Sequence, residues 1–167
     1  HDALPSYVRQ ARAGERITTL DGVERKLESS MQVIADAERA QAIAGVIGGN
    51  DSAVSDATTH ILLEVAVFDP RSVRATRRAL GVSTDASYRF ERALDAHASL
   101  ELARYAAALI VSIAGGRVDD SPLALGSAGP SPHAVSLRVS RVAQLLGETV
   151  AATGCMRLLG SVGFGVS

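Results

Sequence analysis

A single acid interrupts an apolar run at Leu62-Leu63-Glu64-Val65-Ala66-Val67-Phe68. Branched and aromatic residues in such a run describe a buried strand, where a carboxylate costs on the order of several kcal/mol unless a donor or water satisfies it. Glu64 is therefore either paired inside the fold or open at the floor of a pocket. Upstream, Gln41-Ala42-Ile43-Ala44-Gly45-Val46-Ile47-Gly48-Gly49 mixes apolar residues with glycine. That mixture suits either tight strand packing with a turn or the close approach of a ligand to bare backbone. Downstream, Thr84, Asp85 and Ser87 can each accept an orphan N–H at a helix start. Arg89, Glu91 and Arg92 suit an ion network pinning a short helix to a sheet, while Thr84 and Ala86 could wall a pocket. His60 reads as a strand residue, and Cys155, the single cysteine, lies in an apolar helical pattern that suits a buried thiol.

The elements that must position these groups are legible in outline. Tyr7 to Ala11, Ile17 to Leu20, Val23 to Leu27 and Gln32 to Asp36 read as strands, with Asp21-Gly22 forming a hairpin turn that needs positive φ. Asn50 to Thr59 reads as a polar surface connection. Asp69-Pro70 is a helix start and Gly81 a left-handed stop, with Val73, Arg77 and Leu80 on one face. Asp95 can cap a helix from Ala96 to about Ala114, whose Leu102, Ala106, Leu109 and Ile113 form one apolar stripe ended by Gly115-Gly116. Ser121 to Pro132 reads as a linker. Beyond it come a strand-like Ala134 to Val139, a short helix capped by Ser140 and closed by Gly147, and a second helix from Ala152 to Ser161.

Bulk composition constrains less. The 167 residues, 47% of them apolar, suit one domain and part of another. A net charge of −1 gives no overall basic field, so a nucleic-acid partner must be held by a local patch or by other domains. No apolar run approaches the ~20 residues of a membrane span, and the start lacks a signal pattern, which makes cytoplasmic the default location. Beginning at His1, the chain reads as a piece of something longer.

Six short segments in order carry a resemblance to a known family: Ala11 to Glu15, Thr19 to Gly22, Val33 to Asp36, Ala44 to Gly49, Leu62 to Ala66, and Thr84 to Arg92. Together they make roughly the first 125 residues resemble the beta subunit of bacterial phenylalanyl-tRNA synthetase. The resemblance implies its editing region at 1–125, a linker at 126–134, and the truncated beginning of a small helical, winged-helix-like domain at 135–167. The implied fold is α+β, with mixed strands and with helices from Pro70 to Ala114 packed against them.

For function, the resemblance implies hydrolysis of tyrosine wrongly attached to tRNA(Phe). Glu64 matches the family carboxylate that recognises the phenol hydroxyl, and Gly45, Gly48, Thr84 and Ala86 match its pocket positions. No catalytic base and no metal ligand are carried over, and this region needs no cofactor of its own. ATP and magnesium serve aminoacylation by the whole enzyme, a heterotetramer of two alpha and two beta subunits that binds tRNA. One departure is Ala93, where the family usually has glycine. Two other readings stay open: a non-catalytic scaffold or tRNA-binding piece with Glu64 paired to Arg89 or Arg92, and a free-standing relative, against which the linker and following segment argue.

Overall fold

A computed structural model describes residues 7–118, 124–126 and 133–167. The chain divides into two compact units, residues 1–129 and 130–167. Most of the expected linker at 126–134 lies outside the described residues.

The first unit is built on a four-stranded antiparallel sheet of order β1-β4-β5-β6 beside a two-stranded hairpin, β2-β3. The strands are β1 Tyr7–Gln10, β2 Arg16–Thr18, β3 Glu24–Lys26, β4 Gln32–Ala35, β5 Ala40–Ile43 and β6 Ile47–Gly48. Every pairing is antiparallel, so the expected mixture of strands narrows to one kind. At the hairpin tip, Gly22 takes φ 77° and donates to Thr19 O at 2.8 Å, as the Asp21-Gly22 pair requires. Alternation buries Ile17, Val33 and Ile43 with Leu27, Met31 and Val46, and Phe68, Val73 and Val82 close this core from the helical side.

A charged clamp joins hairpin to sheet. Glu15 accepts from Arg9 through both carboxylate oxygens, at 2.7 and 2.8 Å, and also from the Arg12 N–H at 2.8 Å and the Ala40 N–H at 3.1 Å. Four donors around a carboxylate only 9% exposed favour its ionised form. The Arg9 bond foremost, against the opposing effect of burial, holds the Glu15 carboxyl down at about 2.

Helix α1, Pro70–Leu80, begins and ends as its sequence dictates. Asp69 accepts the Ser72 N–H at 2.8 Å, proline opens the first turn, and Gly81 closes the helix at φ 64°. Val73 and Thr76 face the core. Helix α2, Asp85–Phe90, starts in a capping box: Thr84 Oγ1 accepts the Ser87 N–H, and Ser87 Oγ accepts the Thr84 N–H, both at 3.0 Å. The expected ion network exists but joins different partners. Buried Glu91 accepts from Arg77 at 2.5 and 3.2 Å and from Arg92 at 3.0 Å, so it ties α2 to α1 rather than to the sheet.

Several expectations are corrected. Leu62 to Phe68 forms no strand among the described residues, and Leu62 is 74% exposed. An extended segment becomes a strand only where a neighbour completes its backbone ladder, and none of the described residues does so here. Helix α3, Ser99–Ala114, starts later than Ala96, and Asp95 bonds the His97 N–H instead of capping it. None of its residues is buried, so the stripe through Leu102, Leu109 and Ile113 stays exposed, and among the described residues it is α1 and α2 that supply side chains to the core and its border. Ala93 holds φ 68°, the left-handed conformation for which glycine is suited, and turns the chain after α2.

The second unit contains α4, Val139–Leu146, and α5, Ala152–Ser161. Residues 134–138 are not a strand, and Ser140 lies inside α4, whose flanking residue is Arg138. Gly147 closes α4 at φ 74°, and Cys155 is buried on α5. A winged helix would add strands, and the described residues of this unit contain none. Among the described residues no helix is long and apolar enough to cross a membrane.

Because the Glu15 carboxyl ionises more readily folded than unfolded, its stabilisation is complete above the ordinary glutamate value of about 4.5 and fades as pH falls from there toward about 2. Glu15→Gln is expected to cost about 2 kcal/mol at pH 7 in chemical denaturation. The gap between wild type and variant should shrink on acidification through that window and vanish near its lower end.

Candidate functional site

Two recesses mark the first unit. The smaller, about 170 Å³, is lined by charged residues of the hairpin and sheet, including Arg16, Glu24, Arg39 and Asp51. Those charges are spent on each other, as Arg16 pairs with Glu24 and Arg39 with Asp51 at 2.7 Å. The larger is an open cleft of about 370 Å³ between the β4 to β6 edge, the segment before α1, and α2.

Its walls are apolar. Ile34, Ile43 and Ile47 come from the sheet, Val65, Ala66 and Phe68 from the extended segment, and Ala86, Phe90 and Leu94 from α2 and the turn after it. Phe68 and Phe90 stand 5.2 Å apart between ring centres at a 40° tilt, a favourable aromatic geometry that joins two walls. A mostly apolar lining with one polar group is the usual composition of a small-molecule pocket.

Glu64 is the only titratable residue in this lining. No group among the described residues hydrogen-bonds or ion-pairs with its carboxylate; Arg92 instead bonds Glu91 and the Tyr88 carbonyl oxygen. The residue as a whole is exposed, yet nearby atoms strip enough water from the carboxyl to push it above the ordinary value. An unpartnered acceptor in apolar surroundings is what a donor-bearing ligand would satisfy.

Of the sequence-derived site residues, the cleft collects Glu64, Gly45, Gly48 and Ala86. Thr84 is not in the lining. Its hydroxyl donates to the Val46 carbonyl oxygen at 2.6 Å while accepting from Ser87, so it fastens the start of α2 to the β5 to β6 turn. The two glycines contribute backbone, and side chains of the fold fill the space beside them. A Cβ on Gly45 would stand 3.0 Å from Phe68 and Val73 and 3.2 Å from Phe90, and one on Gly48 would stand 3.1 Å from Leu20. Gly49 admits no side chain at all, since its Cβ would lie 2.5 Å from the Gln41 carbonyl oxygen. Sequence reasoning missed the Phe68 and Phe90 walls, although they are two of only three phenylalanines in the chain.

These features define a class. The sequence model of the B3/4 domain matches residues 4–115, and the chain belongs to that family. Among curated relatives it is similar to the phenylalanine–tRNA ligase beta subunits of Carboxydothermus hydrogenoformans, 43% identical over 163 residues, and of Protochlamydia amoebophila, 45% identical over 157. These alignments cover 96% and 94% of this chain and 20% of each relative. That of Moorella thermoacetica is 47% identical over 152 residues, 91% of this chain and 19% of the relative. The chain thus spans about a fifth of the length of the curated relatives it matches.

Gly45→Ala is expected to lower stability by about 2–4 kcal/mol, because it combines a strained left-handed residue with a Cβ forced against two walls of the cleft. Thermal unfolding checks this. Adding Val73→Ala should give no rescue, since Phe68 and Phe90 still meet the new Cβ, φ stays strained and the buried valine's own packing is lost.

Proposed function

We propose that the cleft is an editing pocket that takes the tyrosyl end of mischarged tRNA(Phe) and hydrolyses its ester, within a synthetase that attaches phenylalanine to that tRNA. The observation that carries this reading is the unpartnered Glu64 carboxylate on an otherwise apolar wall beside Gly45, Gly48 and Ala86. A phenol O–H would donate to it, whereas phenylalanine would leave it bare. A missing buried hydrogen bond discriminates far better than a difference in size.

Ester hydrolysis here is attack by water on the acyl carbon, with the bond to the ribose oxygen breaking and tyrosine leaving as the free amino acid. The chain's contribution is to hold the side chain between Phe68, Phe90 and the sheet, fixing the ester at the mouth of the cleft. The family resemblance extends the reading to the whole enzyme: a cytoplasmic heterotetramer of two alpha and two beta subunits that uses ATP and magnesium. The cleft itself does not fit a nucleoside triphosphate with its metal, since its lining holds no cation and one carboxylate. Among the described residues no three His, Cys, Asp or Glu side chains converge as a metal site. A paired Glu64 in a filled pocket would instead suit a scaffold, and the open cleft with a free carboxylate supports editing over that alternative.

Deacylation of Tyr-tRNA(Phe) and Phe-tRNA(Phe) by the whole synthetase tests the proposal. Glu64→Ala should reduce the preference for the tyrosyl ester by about 10- to 150-fold, the range for a lost hydrogen bond to a charged acceptor, while charging with phenylalanine is retained. Unchanged preference would make Glu64 structural and remove the basis of the assignment.

A further inference from the structure

The chain's charge is unevenly placed. Between Asp69 and Arg92 stand six arginines against three acids, in a chain whose net charge is −1. Arg71, Arg74 and Arg78 are spaced i, i+3, i+7 and therefore share one face of α1; all three are exposed, and buried Val73 and Thr76 lie on the opposite face. Acids in this stretch do little to neutralise them. The Asp69 carboxylate serves the Ser72 N–H, and Glu91 is engaged by Arg77 and Arg92, reaching Arg74 only at 3.8 Å. Arg71, Arg78 and Arg89 form no ion pair among the described residues.

Like charges at helical spacing repel by about 0.2–0.5 kcal/mol per pair, a penalty that a polyanion laid across them removes. Glu91, 3.8 Å from Arg74, also pairs at 3.0 Å with Arg92, whose guanidinium lies 3.5 Å from the ring centre of Tyr88, itself 59% exposed. Planar aromatic and guanidinium groups at the surface offer a stacking platform for an unpaired base. Helix α2 presents Ala86 and Phe90 to the cleft and exposes Tyr88 to solvent, so it borders the cleft on one side and carries Tyr88 on another.

We propose that the arginine face of α1, continued through Arg92 and Tyr88, docks the sugar–phosphate backbone of the RNA whose aminoacylated end enters the cleft. The proposal rests on the editing reading for the identity of that RNA. Phosphates lie along the arginines and an unpaired base near Tyr88, which leaves the terminal ester to reach Glu64's pocket.

The test is binding of uncharged tRNA to the whole synthetase across a salt series, for wild type and for Arg71→Ala/Arg74→Ala/Arg78→Ala. The expected result is an affinity loss of about 10-fold or more at low salt, with the slope of log affinity against log salt shallower by roughly 2 to 3. Replacing the same arginines with lysine should restore most of both. Arg71→Ala/Arg78→Ala leaves the Glu91 network whole and should still flatten the slope, by roughly 1 to 2, which separates docking from a folding defect. Unchanged affinity and slope would overturn the proposal. So would unchanged tRNA affinity with weakened subunit assembly, which would assign the face to an acidic protein surface. Uncharged tRNA needs no hydrolysis, so a failed Glu64 experiment and a failed salt series are distinguishable.

Discussion

The arrangement of the first unit depends on how closely Gly45 lets three elements approach. It turns β5 into β6 at φ 67°, and side chains from the extended segment, α1 and α2 converge on the space where its Cβ would stand. A larger residue would push Phe68, Val73 and Phe90 outward and part the walls of the cleft. The hydroxyl of Thr84 reinforces the same junction by bonding the Val46 carbonyl, one residue beyond the glycine. Packing and hydrogen bonding thus place α2 against the sheet from two sides, and the cleft is the space left between them.

Charge in this unit is sorted by function. Carboxylates with structural work are saturated with donors: Glu15 clamps hairpin to sheet, and Glu91 joins the two helices. Glu64 has no donor among the described residues and is shifted by burial in the opposite direction, toward the neutral form. That contrast sets Glu64 apart from the acids that hold the fold and is the ground for proposing it as the ligand-reading group. On the outer face of α1, Arg71 and Arg78 form no ion pair among the described residues, while the apolar cleft is lined by α2, the sheet and the extended segment.

Local chemistry was legible where cap and turn residues stand together with proline or glycine. Asp69-Pro70 and Gly81 bound α1 because capping needs only neighbouring residues, and Asp21-Gly22 makes its turn for the same reason. The route failed where a partner is needed. Among the described residues, Leu62 to Phe68 has strand composition and no strand beside it, while the stripe on α3 has helical period and no buried residue. Asp95 and Ser140 have capping chemistry, and each sits off the position a cap must occupy. At the site, residue types pointed to Glu64 and the glycines, but no spacing rule shows that Phe68 and Phe90 meet across the gap, or that Thr84 spends its hydroxyl on the turn.

The central claim is that the phenol of a tyrosyl ester is read by Glu64. Its most direct test is a crystal structure of the whole synthetase bound to a non-hydrolysable tyrosyl-adenosine analogue. The account predicts the ring between Phe68, Phe90 and the β5 to β6 turn, with the phenol oxygen within hydrogen-bond distance of the Glu64 carboxylate. An analogue bound elsewhere, or bound in the cleft with its hydroxyl turned away from Glu64, would contradict it.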